Sequence, residues 1–286
     1  MDALVSTDWL AGELGKSDLR VIDATLFAPG EGNSPRADFE AGHISGAVYM
    51  DLDEIVDTSS GLPHMLPTPE KFASRKQALG LGDGSRIVVY DNSPVHSAAR
   101  AWWMLHLFGA HEVAILDGGF AKWKAEGRQI ESGKPVVRHR HFTVWADKSR
   151  VRTLGDMLDN LKSKAEQVLD ARPAGRFAGT EPEPREGLRG GHIPGSKNLP
   201  QGQLFNDDGT WKTGDALKAA FEGAGIDLAK PVVTTCGSGI TAAVLAFGLH
   251  LLGHKSVGLY DGSWSVWGAQ SDTPVVTGGA RNLPLP

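Results

Sequence analysis

Cys236 is the only cysteine in the 286-residue chain, and its neighbours are suited to making its sulfur a nucleophile. It follows the β-branched run PVVTT and precedes the apolar stretch AAVLAFGLHLLG (242–253), with Gly237, Ser238, Gly239, Ile240 and Thr241 between. That order predicts strand, tight loop, helix. In open α/β sheets such loops lie at the carboxyl ends of strands, where the following helix offers unpaired N–H groups to an anion. A cysteine placed there is favoured as an anionic, attacking sulfur. Gly237 and Gly239 let the backbone curl so that several N–H groups converge on the sulfur, and Ser238 and Thr241 add hydroxyl donors. A cysteine phosphatase would need an arginine in the first turn of the helix to clamp phosphoryl oxygens, and Ala242 stands there instead. A lone cysteine also excludes an internal disulfide, a four-cysteine zinc site and a resolving thiol within the chain, so redox chemistry needs an external thiol.

The elements that must hold this loop are visible because the chain repeats itself. RIVVYDNSPVHSAARAWWMLHLFG (86–109) aligns without a gap on KPVVTTCGSGITAAVLAFGLHLLG (230–253), a shift of 144 (230 − 86). The same shift pairs LDGGFAKW (116–123) with YDGSWSVW (260–267); VIDA (21–24) recurs as VLDA (168–171), and GHISGAV (42–48) as GHIPGSK (191–197). Within each copy, short β-branched runs alternate with helical patterns. The predicted fold class is therefore α/β, two tandem domains over 1–135 and 151–286, each a mainly parallel sheet flanked by helices. Residues 136–150, rich in charge and poor in helical period, are expected to connect them. At the 144 shift Asn92 faces Cys236, so the first domain is expected to be catalytically silent and to wall the cleft.

CGSGIT resembles the active-site loop of the 3-mercaptopyruvate sulfurtransferases of the rhodanese superfamily, usually CGSGVT, whereas thiosulfate-preferring rhodaneses carry CRKGVT. The segment 170–195, with DARPAGRF and EPEPREGLRGGHIPG, the WWM of the first half and DGSWSVWG near the end extend the resemblance over nearly the whole chain. It implies that Cys236 carries sulfur as a persulfide, taken from 3-mercaptopyruvate and passed to a thiol, thioredoxin or cyanide, with no metal or organic cofactor. It also implies that Arg176 and Arg185 hold the donor's carboxylate and keto oxygen, a task suited to the planar fork of guanidinium. Gly237, Gly239, Ile240 and Thr241 would line the donor site beside them. A relay proposed in the family nominates Ser238 and the first-domain His43; the place of its acidic member falls at Ser34 here, a departure from the family, with Glu31 or Asp38 as approximate replacements. A thiosulfate sulfurtransferase is the runner-up, and a non-enzymatic rhodanese-like interaction module the distant one, since such modules usually lack the cysteine.

The other repeated residues read as structural. His43 and His192 recur in both copies of GHI, which also suits the anchoring of a turn, and Asp23 and Asp170 end equivalent strands, where each can accept N–H groups of the next turn. Trp102, Trp103, Trp264 and Trp267 are expected in the core. In RHRH (138–141), His139 and His141 lack a third ligand nearby, so no metal is expected. With 29 basic against 34 acidic residues the chain has no broad cationic surface for nucleic acid. The opening residues show neither a secretory nor a transit pattern, and 242–253 is too short to span a bilayer, so a cytoplasmic protein without membrane association is expected.

Overall fold

A computed structural model of the chain describes residues 1–28, 30 and 34–279. It divides into two compact units, the first made of 1–58, 66–147 and 205–211, the second of 59–65, 148–204 and the chain from Lys212 on. In the first, strands β1 (Leu4–Val5), β2 (Leu19–Asp23), β3 (Ala47–Tyr49), β4 (Arg86–Tyr90) and β5 (Val113–Leu116) form one sheet in the order β1-β5-β4-β2-β3, every pair parallel. In the second, β6 (Val151–Arg152), β7 (Gln167–Asp170), β8 (Lys197–Asn198), β9 (Val232–Thr235) and β10 (Val257–Tyr260) follow the order β8-β7-β9-β10-β6, again all parallel. Read from the opposite edge, this is the same topology. The central strands, RIVVY and VVTT, are buried on both faces, which is why they read as β-branched runs without polar alternation.

Each central strand feeds a helix: α1 (Ala98–Leu107) follows β4, and α3 (Ile240–Leu251) follows β9. The short α2 (Ala174–Ala178) follows β7, and α4 (Ser263–Trp267) follows β10. Ala242 to Leu249 are all buried, so α3 is apolar around its whole circumference. Among the described residues no helix is long and apolar enough to cross a membrane.

The hydrogen-bonding register corrects the expected match of Asn92 to Cys236. Val21 pairs with Val88, and Val168 with Val233, so β4 and β9 correspond at a shift of 145 (233 − 88). The helices correspond at 144, because the bonds from Ala110 N to Leu105 O and from His254 N to Leu249 O are equivalent. The loop between strand and helix is thus one residue longer in the first unit, and a gapless alignment hides the insertion. Ala24 N to Tyr90 O matches Ala171 N to Thr235 O, both 2.9 Å, and the next residue in each case is Asp91 or Cys236. Asp91, not Asn92, holds the place of the cysteine.

Most of the expected connection lies along the first unit. Phe142 is buried, His141 O accepts from Asp83 N at 3.0 Å, and Asp147 N donates to Leu107 O at 2.8 Å. Phe142 covers an unusual group: Lys76, in the helix Pro69–Ala78, is 2% exposed, and among the described residues its Nζ has no hydrogen-bond partner; the Phe142 ring lies 3.0 Å away and the Phe72 ring 5.9 Å. Burial pulls the group down to about 6, against the opposing charge of Asp83. Between that value and its ordinary one near 10.5 the unfolded chain binds a proton that the folded chain does not, so each pH unit lowered through this window costs up to about 1.4 kcal/mol. Lys76→Met should therefore stabilise the protein by about 1–4 kcal/mol at pH 7 in urea unfolding. The gain should shrink as the pH approaches 10, and a variant less stable than wild type at pH 7 would contradict this reading.

Candidate functional site

Strand β9 delivers Cys236 to the carboxyl edge of the second sheet, and the loop then turns sharply into α3. Gly239 makes that turn in the left-handed region, φ +85°, which any other residue would occupy under strain, and its N–H donates to the Cys236 sulfur at 3.1 Å. The loop is fixed from below by the residues after β10. Cys236 N donates to Ser263 Oγ (3.2 Å), Trp264 N to Cys236 O (2.9 Å), and both Ser265 N and Ser265 Oγ to Gly237 O (2.8 Å each). Ser263 itself sits at φ +46°, an uncommon conformation for a residue with a Cβ, held by its own bond to Tyr260 O at 2.8 Å. Cys236 is 1% exposed, so the sulfur lies at the bottom of the loop. Ile240 is buried in the first turn of α3, and Thr241 beside it is half-buried.

Arg176, in α2, reaches the loop from the side: a Cβ added to Gly237 would stand 3.1 Å from Arg176 Nη2. Its guanidinium is held by Glu183, with Nε and Nη2 at 3.2 and 2.5 Å from Oε2. Arg185 follows two residues later in the same loop and is half-buried. Arg189 has a structural task, donating to the carbonyls of Gly268, Thr273 and Trp267.

Ser238, 7% exposed, shares a hydrogen bond of 2.8 Å between its Oγ and Nδ1 of His64, which belongs to the stretch 59–65 of the second unit. His64 adopts φ +58°, a conformation a histidine keeps only where its surroundings impose it. The expectation for His43 is corrected accordingly. Its ring is 1% exposed, lies stacked on Phe39 at 4.0 Å and places Nδ1 2.7 Å from Phe39 O. His192 does the same with Phe177, at 3.7 Å between rings and 2.8 Å from Nδ1 to O, so both GHI histidines brace a turn. Ser34 caps the helix Pro35–Ala41, accepting from Ala37 N, while Asp38 sits in the first turn of that helix and Glu31 lies outside the described residues. The signal for His64 was available: unlike His43 and His192 it has no twin in the repeat, and it sits in a Gly/Pro-rich loop, GLPHMLP.

The Rhodanese-like domain profile matches the chain twice, over residues 6–126 and 153–270. This chain belongs to the rhodanese family. It is 42% identical to the 3-mercaptopyruvate sulfurtransferase of Escherichia coli K12 over 95% of this chain and 96% of that one, and 41% identical to the human 3-mercaptopyruvate sulfurtransferase over 93% and 91%. A thiosulfate sulfurtransferase of Cricetulus griseus is 40% identical over 93% and 91%. The crystal structure of a 3-mercaptopyruvate sulfotransferase from Escherichia coli superposes with a TM-score of 0.85 at 39% identity, covering 92% of this chain and 99% of that one. A thiosulfate/3-mercaptopyruvate sulfurtransferase of Arabidopsis thaliana, 40% identical over 96% of this chain and 78% of that one, is named as mitochondrial.

Both rhodanese copies in this chain aim N–H groups at the residue after the central strand, with different occupants. In the first, Asp91 is buried and its carboxyl accepts from Ala98 N (2.6 Å) and Ser93 N (3.2 Å). Burial is the largest influence on it and pushes it up to about 7. The amides that would surround an anionic sulfur are thus taken by the protein's own acid. Asp23 and Asp170 are also equivalent, accepting at 2.9 Å from Thr25 N and Arg172 N.

Proposed function

We propose that this rhodanese-family chain moves sulfur from 3-mercaptopyruvate through a Cys236 persulfide to a thiol, thioredoxin or cyanide, releasing pyruvate. The observation that carries the reading is one guanidinium, that of Arg176, beside a loop whose own side chains at 237 and 238 are neutral. The Cys236 thiolate attacks the donor's sulfur, the bond from that sulfur to carbon breaks with its electron pair going to carbon, and pyruvate leaves as its enolate. The enolate carbon then gains a proton, which the Ser238–His64 pair is placed beside Cys236 to supply. Gly239 N–H supports the sulfur before and after transfer. Arg176, with Arg185, holds the carboxylate away from the transferring sulfur. An acceptor then takes the outer sulfur and restores the thiolate. The first copy, with Asp91 in the cradle, contributes no sulfur carrier.

Identity alone does not separate the donors, since sulfurtransferases named for each are about equally similar. Loop charge does. Thiosulfate is a compact dianion with charge next to its transferable sulfur, and Gly237 and Ser238 supply none to meet it. Each missing charge contact should cost about 1.5–3 kcal/mol, on the order of tenfold to a hundredfold in kcat/KM. Steady-state kinetics with both donors should accordingly give a higher kcat/KM for 3-mercaptopyruvate by at least that factor. A wild-type preference for thiosulfate would put the runner-up function in its place.

A further inference from the structure

Gly237 is a glycine without a backbone reason. Its φ lies outside the left-handed region, and the atom that a Cβ there would crowd is Arg176 Nη2, at 3.1 Å. Whether a side chain is tolerated at 237 depends on whether Arg176 can yield. Glu183 decides that. Its side chain is 1% exposed, Oε2 takes Nε and Nη2 of Arg176, and Oε1 takes Nη1 of Arg172 at 2.7 Å. Arg172 is equally buried and is itself locked, by Asp170 (Nη2 to Oδ2, 2.6 Å), by Gly191 O (2.9 Å) and by the face of Trp264 at 4.3 Å. Glu183 also stands between Pro182 and Pro184, which restrict its backbone. A row of alternating charge, with Asp170, Arg172 and Glu183 buried and Arg176 at its solvent end, runs from the end of β7 to the cysteine loop.

From this geometry we infer that Glu183 is a positioning residue for donor selection: it fixes the Arg176 guanidinium over Gly237, anchored in turn by Arg172. The inference rests on the donor-binding reading of Arg176 above. Arg176 is 21% exposed, so one edge of its guanidinium is spent on Glu183 while the group as a whole still reaches solvent. Two charged hydrogen bonds to a buried carboxylate that Arg172 anchors hold it in one place, which spares the donor the ordering of a long side chain. Without Glu183 the guanidinium would still be charged, but free to leave the loop.

The test compares Arg176→Ala, Glu183→Gln, their combination and Gly237→Ala. Arg176→Ala should lower kcat/KM for 3-mercaptopyruvate on the order of tenfold to a hundredfold. Glu183→Gln should reproduce most of that loss as a raised KM, and the combination should add little to Arg176→Ala alone. Discharge of the persulfide by cyanide, followed in a single turnover of enzyme loaded with excess donor, should slow far less than loading in each of them. A merely structural loss would slow loading and discharge alike, and that result would overturn the inference, as would an unchanged KM in Glu183→Gln or an additive double variant. Gly237→Ala leaves the buried charges intact, so it reports even if Glu183→Gln does not fold. It should raise KM for 3-mercaptopyruvate in the wild-type background and have no effect in the Arg176→Ala background, and an equal effect in both would refute competition for that space. If Arg176→Ala itself binds the donor normally, the donor-binding reading falls and the inference with it.

Discussion

Cys236→Ser is expected to reduce sulfur transfer to background with either donor. A serine hydroxyl can take the same position and accept from Gly239 N, but it is a far poorer nucleophile toward sulfur and forms no persulfide. The chain offers no substitute: it holds no second cysteine, and the equivalent place in the first copy is a carboxyl capped by two N–H groups. The replacement should leave the fold intact, because Cys236 N and O anchor the loop and the serine oxygen can accept from Gly239 N in place of the sulfur. Steady-state assays beside circular dichroism would check both halves of the expectation. Turnover by a folded Cys236→Ser protein at the wild-type rate would remove the covalent mechanism.

His64→Ala should lower kcat with 3-mercaptopyruvate on the order of a hundredfold, the lower end of what a positioned proton donor contributes. The effect is expected to depend on the donor. Pyruvate leaves as a carbanion equivalent that must gain a proton, whereas sulfite leaving from thiosulfate needs none on carbon, so thiosulfate turnover should change far less. Ser238→Ala should match His64→Ala, and the double variant should be no worse than either single one, since the two side chains share one hydrogen bond and act as a unit. His43→Ala should instead cost stability, through the lost ring stack and the bond to Phe39 O. A His64→Ala enzyme within twofold of wild type with 3-mercaptopyruvate would rule this pair out of the proton path.

What was legible in the sequence follows from what is local. Strand, loop and helix around Cys236 are set by a β-branched run, glycines and an apolar stretch, and the repeat announced two copies of one sheet. The repeat left His43 with two readings, a braced turn shared with His192 and a place in the relay, and its ring stack on Phe39 supports the first. The errors came where a gap or a long-range approach decides. Strands correspond at one shift and helices at another, so an ungapped comparison named Asn92, and hydrogen-bond register was needed to place Asp91. His64 is distant in sequence from Ser238, and no spacing rule links 64 to 238. Glu183 reads as one acid in the run EPEPRE, and only its burial against Arg172 and Arg176 separates it from Glu181 and Glu186.

The central claim is that the donor leaves one sulfur on one side chain, and intact-mass spectrometry of the wild-type protein tests it most directly. After brief exposure to 3-mercaptopyruvate and removal of excess donor, the account predicts a mass increased by a single sulfur atom, mapping to the peptide that contains Cys236 and lost on addition of cyanide or dithiothreitol. An unchanged mass in enzyme that is turning over, or an added sulfur on a peptide without Cys236, would contradict it.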